Sequence, residues 1–181
     1  MITNNIDTII SDLSKHKVVS IPTDTVYGLS CAINKSAISQ LMQLKHRDTS
    51  KGFIIISNNI KHLLQYVNIN KLSPEHIQLL STMQSIPTTW IAPARDNIKW
   101  LTGNRETIAV RLVSHDIIKI ICNTLDSAII STSANISGQT ITNDSKDIEK
   151  IFKFVNILDT QILNNHTQST IINIITGDII R

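Results

Sequence analysis

The chain has 181 residues, of which 41% are hydrophobic and 17% charged, with a formal net charge of +3. Such a composition excludes a disordered polymer, and its length suits one globular domain, 1–181. The mild positive charge permits an anionic ligand without demanding nucleic acid.

The start reads as an amphipathic helix, because Ile6, Ile9, Ile10 and Leu13 recur at i, i+3, i+4 and i+7. "VVSIP" is a buried strand stopped at Pro22, "PTDTVYG" a polar turn, and "LSCAI" a second strand. Ser36 can cap a helix whose inner face is Ile38, Leu41, Met42 and the stem of Lys45. That helix delivers Lys45 and Arg47 at its end, before the buried strand "FIIIS".

Ser73-Pro74 marks another helix start. "TTWIAP" and "TIAVRL" read as strands joined by a loop with Trp100, Gly103 and Arg105. "HDIIKIICNTL" is a helix, "SAII" a strand, and Asp144 can cap "SKDIEKIFKF". "STIINIIT" and "DIIR" flank Gly177 as a closing hairpin. Interleaved helices and strands predict one α/β domain with a mixed sheet.

The scattered Asn and Ile residues look like compositional bias, which weakens an argument from any single one. Cys31 and Cys122 lie in apolar stretches without metal-ligand spacing, so buried free thiols are expected. No apolar run approaches the ~20 residues that span a bilayer, and the N-terminus lacks a signal-peptide pattern. The expectation is a cytoplasmic protein with no membrane partner.

Familiar catalytic signatures are missing. There is no G-x-x-x-x-G-K-[ST], no G-x-G-x-x-G and no G-x-S-x-G elbow. An enzyme of this sequence would rely on positioning and charge neutralisation rather than a covalent intermediate.

Four segments could carry such chemistry. "PTDTVYG" places two hydroxyls, a carboxylate and a phenol at a strand end, as either a hydroxyl-stabilised turn or a ligand site. "KHRDTSK" gathers Lys45, Arg47 and Lys51, as either a solvated helix end or an anion site. In "TIAVR", Thr107, Ala109 and Arg111 share one face of a strand. A buried arginine there needs a partner, either Asp24 or a substrate carboxylate. In "STSANISG", Ser131 and Ser133 alternate onto one side and Asn135 follows in the turn.

Taken in order, "PTDTVYGL" (22–29), "LKHRDTSKGF" (44–53), "AVRLVSH" (109–115) and "STSANISG" (131–138) resemble the YrdC-like threonylcarbamoyl-AMP synthase family. "WLTG" (100–103) and "STIINI" (169–174) add to the likeness, which resembles the short form without an extra C-terminal domain. The resemblance implies a twisted mixed α/β sheet flanked by helices, with a basic concave groove. It also implies a nucleotidyltransferase that converts L-threonine, bicarbonate or CO2, and ATP to threonylcarbamoyl-adenylate and diphosphate. The product would feed N6-threonylcarbamoyladenosine formation in tRNAs reading codons that begin with A.

The family's positions map onto this chain as follows. Lys45 and Arg47 would be catalytic and, with Lys51, Thr107, Ser133 and Asn135, would hold ATP. Thr25, Arg111 and Ser131 would hold threonine, with Thr23 and Tyr27 as pocket wall. Mg2+ would accompany ATP without dedicated protein ligands. Downstream transferase proteins are the implied partners, and the resemblance leaves direct tRNA contact open.

Three stretches depart from the family pattern. Ile86 in "SIPTTW" replaces a glycine, His166 in "NNHTQ" stands where an arginine is common, and "QTITND" lacks the usual proline or serine. The competing readings are a non-catalytic tRNA-binding module of the same fold, and carbamoyl-adenylate chemistry fed by carbamoyl phosphate. The 4% aromatic content gives few stacking platforms for the first. The short length disfavours the second.

Overall fold

The computed structural model describes residues 1–46, 52–103, 105–160 and 167–181. In chain order the strands are β1 (Ile2–Thr3), β2 (Val19–Ile21), β3 (Gly28–Ala32), β4 (Ile54–Ser57), β5 (Thr88–Pro93), β6 (Thr107–Leu112), β7 (Ile129–Ser133), β8 (Asn156–Leu158) and β9 (Thr170–Asn173). The helices are α1 (Ile6–Ser14), α2 (Lys35–Lys45), α3 (Ile60–Leu64), α4 (Pro74–Ser81), α5 (Lys99–Thr102), α6 (Asp116–Leu125) and α7 (Ser145–Ile151).

All nine strands join one sheet in the order β1-β8-β2-β3-β7-β4-β6-β5-β9. The sheet is mixed, as expected. β3 and β4 both pair antiparallel with β7, while β4 pairs parallel with β6 and β5 with β9. The expected closing hairpin forms around Gly177 at φ +75°, with Ile172 bridging Ile179.

Period-two alternation sorts the side chains onto two faces. On one, Leu29, Cys31, Ile55, Val110 and Ile130 build a core with Ala37, Ile38 and Leu41 of α2. On the other, Val19, Ile21, Ile56 and Ile129 pack against Ile9 and Leu13 of α1 and Ile118 and Ile121 of α6. Fully burying each such side chain contributes about 1.5–3 kcal/mol. Farther along β6 and β7 this second face turns polar, and an open groove replaces the helical cover.

The helix starts use more asparagine than composition suggested. Asn5, Asn34 and Asn59 each accept a hydrogen bond from the backbone N–H two residues on, capping α1, α2 and α3. Asn34, not Ser36, therefore caps α2, and Ser36 supplies the N–H that is capped. Asp144 caps α7 as expected, but that helix ends at Ile151. A tight turn from Phe152 to Val155 ends the helical run there, and Ile157 then enters the sheet.

Both thiols are free and buried, and burial pushes the Cys31 thiol up to about 12. Among the described residues, no helix is long and apolar enough to cross a membrane.

Candidate active site

The groove has a volume of about 480 Å³ and is built from strand ends and the loop after β2. Thr107, Ala109 and Arg111 of β6 line it, as do Ser131 and Ser133 of β7 and Thr23 and Thr25 of the loop. The alternation expected for "TIAVR" and "STS" thus brings both segments to one surface. β4 lies between them and pairs with each.

The loop "PTDTVYG" is both a turn and a groove wall. Thr23 Oγ1 donates to the Val26 carbonyl at 2.8 Å and accepts from the Thr25 N–H at 3.2 Å. This turn presents Thr25 to β6, where Arg111 Nη1 donates to Thr25 Oγ1 at 3.2 Å. The same Nη1 lies 3.2 Å from Asp24 Oδ1, an ionic contact without the alignment of a directed hydrogen bond. Asp24 is thus the protein partner that a buried arginine requires. Burial lowers the Arg111 pKa, the Asp24 charge raises it, and the Arg181 charge lowers it further.

Ser131 occupies a crowded position. Ser30 Oγ donates to Ser131 Oγ at 3.0 Å across the β3–β7 pair. The neighbouring Gly28 has no room for a side chain, because a Cβ there would overlap Ser131 Oγ. Tyr27 does not line the groove. Its ring is buried in the core, and its hydroxyl donates to the Leu158 carbonyl at 2.9 Å.

Lys45 and Asn135 stand next to the groove rather than on its surface. The Lys45 side chain is buried, and its Nζ donates to the Ser133 carbonyl, the Asn135 carbonyl and Asn135 Oδ1 at 2.5, 2.7 and 3.2 Å. Ser133 Oγ donates to Asn135 Oδ1 at 2.7 Å. Arg47 and Lys51, expected beside them, lie outside the described residues, as does His166. Ile86 is exposed just before β5.

The groove also holds residues to which the sequence patterns assigned no site role. Arg105, Ser169 and Arg181 line it together with Gly28. Arg181 Nη2 donates to the Ser169 carbonyl at 3.2 Å, and Ser169 Oγ hydrogen-bonds Thr89 Oγ1 at 2.8 Å. Arg181 could be found from sequence only by knowing that β9 pairs with β5, which folds the last residues back over the groove. Gly28 carries a local signal, since it closes the polar turn.

Among the described lining residues the charged side chains are those of Arg105, Arg111 and Arg181, with no Asp or Glu. Such a surface suits an anion such as a carboxylate or phosphate. Among the described residues, no three His, Cys, Asp or Glu side chains gather as metal ligands.

Three comparisons give this site a context. The Sua5/YciO/YrdC family pattern, described as telomere recombination, matches residues 11–181. A threonylcarbamoyl-AMP synthase of Mannheimia succiniciproducens is 35% identical over 176 residues, covering 96% of each chain. One of Buchnera aphidicola is 39% identical over 173 residues, covering 93% of this chain and 98% of the relative. The fold is similar to that of P. abyssi Sua5 complexed with L-threonine, with a TM-score of 0.82 and 26% identity. That likeness covers 93% of this chain and 50% of P. abyssi Sua5, so this chain spans about half its length. The match along nearly the whole sequence and the shared sheet lead to one conclusion: the chain belongs to the Sua5/YciO/YrdC family.

Proposed function

We propose that this chain is a threonylcarbamoyl-AMP synthase working in the cationic groove. The observation that carries the reading is Arg111, buried beside Thr25 and Asp24 and lining a groove that has no Asp or Glu among its described lining residues. A threonine carboxylate would pair with Arg111, and the hydroxyls of Thr25 and Ser131 would fix its orientation. Thr23 shapes that wall through its bond to Thr25, and Tyr27 supports it from the core. The nucleotide would lie along Thr107 and the Ser133–Asn135 turn, bordered by Lys45, Arg47 and Lys51.

The chemistry needs no protein nucleophile. The neutral threonine amine adds to CO2 to form a carbamate and release a proton; starting from bicarbonate, the same carbamate forms with loss of water. A carbamate oxygen then forms a bond to the α-phosphorus of ATP as the bond to diphosphate breaks. The groove's part is to hold the two reactants in line and offset the negative charge on the phosphates. Arg105 and Arg181 add cations to the same surface. With no Asp or Glu side chain in the described lining, magnesium would come as part of the ATP substrate, held by phosphate oxygens.

The product would serve the threonylcarbamoylation of adenosine in tRNAs reading codons that begin with A, handed to downstream transferase proteins in the cytoplasm. Direct contact with tRNA would use the same basic concave surface. A single assay tests the central reading: diphosphate release with threonine, bicarbonate and ATP, omitting each in turn. Release that requires all three is expected. Release independent of threonine, or no release with all three present, would overturn it.

A further inference from the structure

We propose that Lys45 is a positioning residue that locks the Ser133–Asn135 turn into the shape that receives the nucleoside part of ATP, instead of neutralising the triphosphate. This deepens, and rests on, the nucleotide assignment above. An ammonium carries three N–H donors. Three oxygens of the turn lie within 3.2 Å of Lys45 Nζ, and the side chain is only 1% exposed. A lysine so placed is compensated by the turn itself, since a buried charge without such partners is strongly unfavourable. The contact is reciprocal, because the Ser137 N–H donates to the Lys45 carbonyl at 3.0 Å. The end of α2 and the 133–137 segment are therefore stitched together in both directions.

Asn135 is the hub. Its Oδ1 accepts from Lys45 and from Ser133 Oγ, and its Nδ2 donates to the Gln139 carbonyl at 2.6 Å. A flipped amide would point N–H donors at the ammonium, so Lys45 fixes the amide's orientation. That orientation in turn commits the Ser133 hydroxyl proton to Oδ1 at 2.7 Å. Ser133, which lines the groove, then offers lone pairs to a ligand. Lone pairs suit ligand N–H and O–H donors, such as a ribose hydroxyl or an adenine amine, and repel phosphate oxygens. Lys45 thus acts through Asn135 on the polarity of the nucleoside edge.

The test compares ATP with AMP, which shares the nucleoside but lacks the β- and γ-phosphates. Calorimetric Kd values are measured for the wild-type protein, Lys45→Met and Asn135→Ala. Lys45→Met is expected to weaken ATP and AMP by the same factor, about tenfold or more, and Asn135→Ala to do likewise. The double variant should be little worse than either single change, as residues acting through one another are non-additive. Loss confined to ATP, or no loss for either ligand, would overturn the inference. If Lys45→Met does not fold, Asn135→Ala alone decides by the same equal-loss criterion. Failure of the wild-type protein to bind ATP would instead remove the nucleotide assignment and this inference with it.

Discussion

The Arg111 guanidinium and the Asp24 carboxylate meet at 3.2 Å with only 7% and 12% of their side chains exposed. Asp24 belongs to the loop after β2 and Arg111 to β6, so this contact joins the two walls of the groove. Removing one partner of a buried ion pair leaves the other charge uncompensated. Asp24→Asn is therefore expected to lower the unfolding free energy by about 3 kcal/mol, measured by urea titration. An unchanged denaturation midpoint would show that Arg111 does not depend on Asp24.

Gly28 controls Ser131 by the absence of a side chain. A methyl group at position 28 would overlap Ser131 Oγ, so Gly28→Ala must displace that hydroxyl or strain β3 against β7. Overpacking of this kind costs about 1–3 kcal/mol. If Ser131 holds threonine as proposed, its displacement should also raise the KM for threonine. Removing the obstructing oxygen in Gly28→Ala/Ser131→Ala should restore much of the stability without restoring threonine affinity. Strictly additive stability losses in the double variant would refute the steric account.

His115 gives a pH signature to stability. It is 6% exposed, and neither ring nitrogen has a hydrogen-bond partner among the described residues. Burial lowers its pKa below the ordinary 6.5, and the charges of Asp24 and Asp116 only partly oppose this. The folded protein thus resists protonation that the unfolded chain accepts. This contribution is fully present above the unfolded value of 6.5 and is lost as pH falls through the folded one. His115→Gln should flatten the pH dependence of the unfolding free energy below about pH 6.5. An equal slope in wild type and variant would exclude His115 as its source.

Long periodic segments are legible in the sequence itself. The α1 stripe and the alternation in β6 and β7 appear in the structure on the faces expected. Elements that depend on distant partners were not legible. β1 has two residues and β8 three, and Ile2 pairs with Ile157 across nearly the whole chain. Segments so short have no period of their own, and pairing alone makes them strands. The four-residue α5 and five-residue α3 escaped for the same reason.

By itself the sequence determined which residue types would meet: the hydroxyl loop, Arg111 and the serine pair of β7, each placed on its face by local periodicity. It also pointed to the family through four ordered motifs. Only the tertiary structure decided what each group is free to do. It gave Arg111 the Asp24 counter-charge, brought Arg181 and Ser169 to the groove, and turned Lys45 onto the Ser133–Asn135 turn. The physical reason is that periodicity fixes the direction of a side chain along its own strand or helix. Its partners come from strands and loops far away in sequence, and a polar group's chemistry is set by those partners.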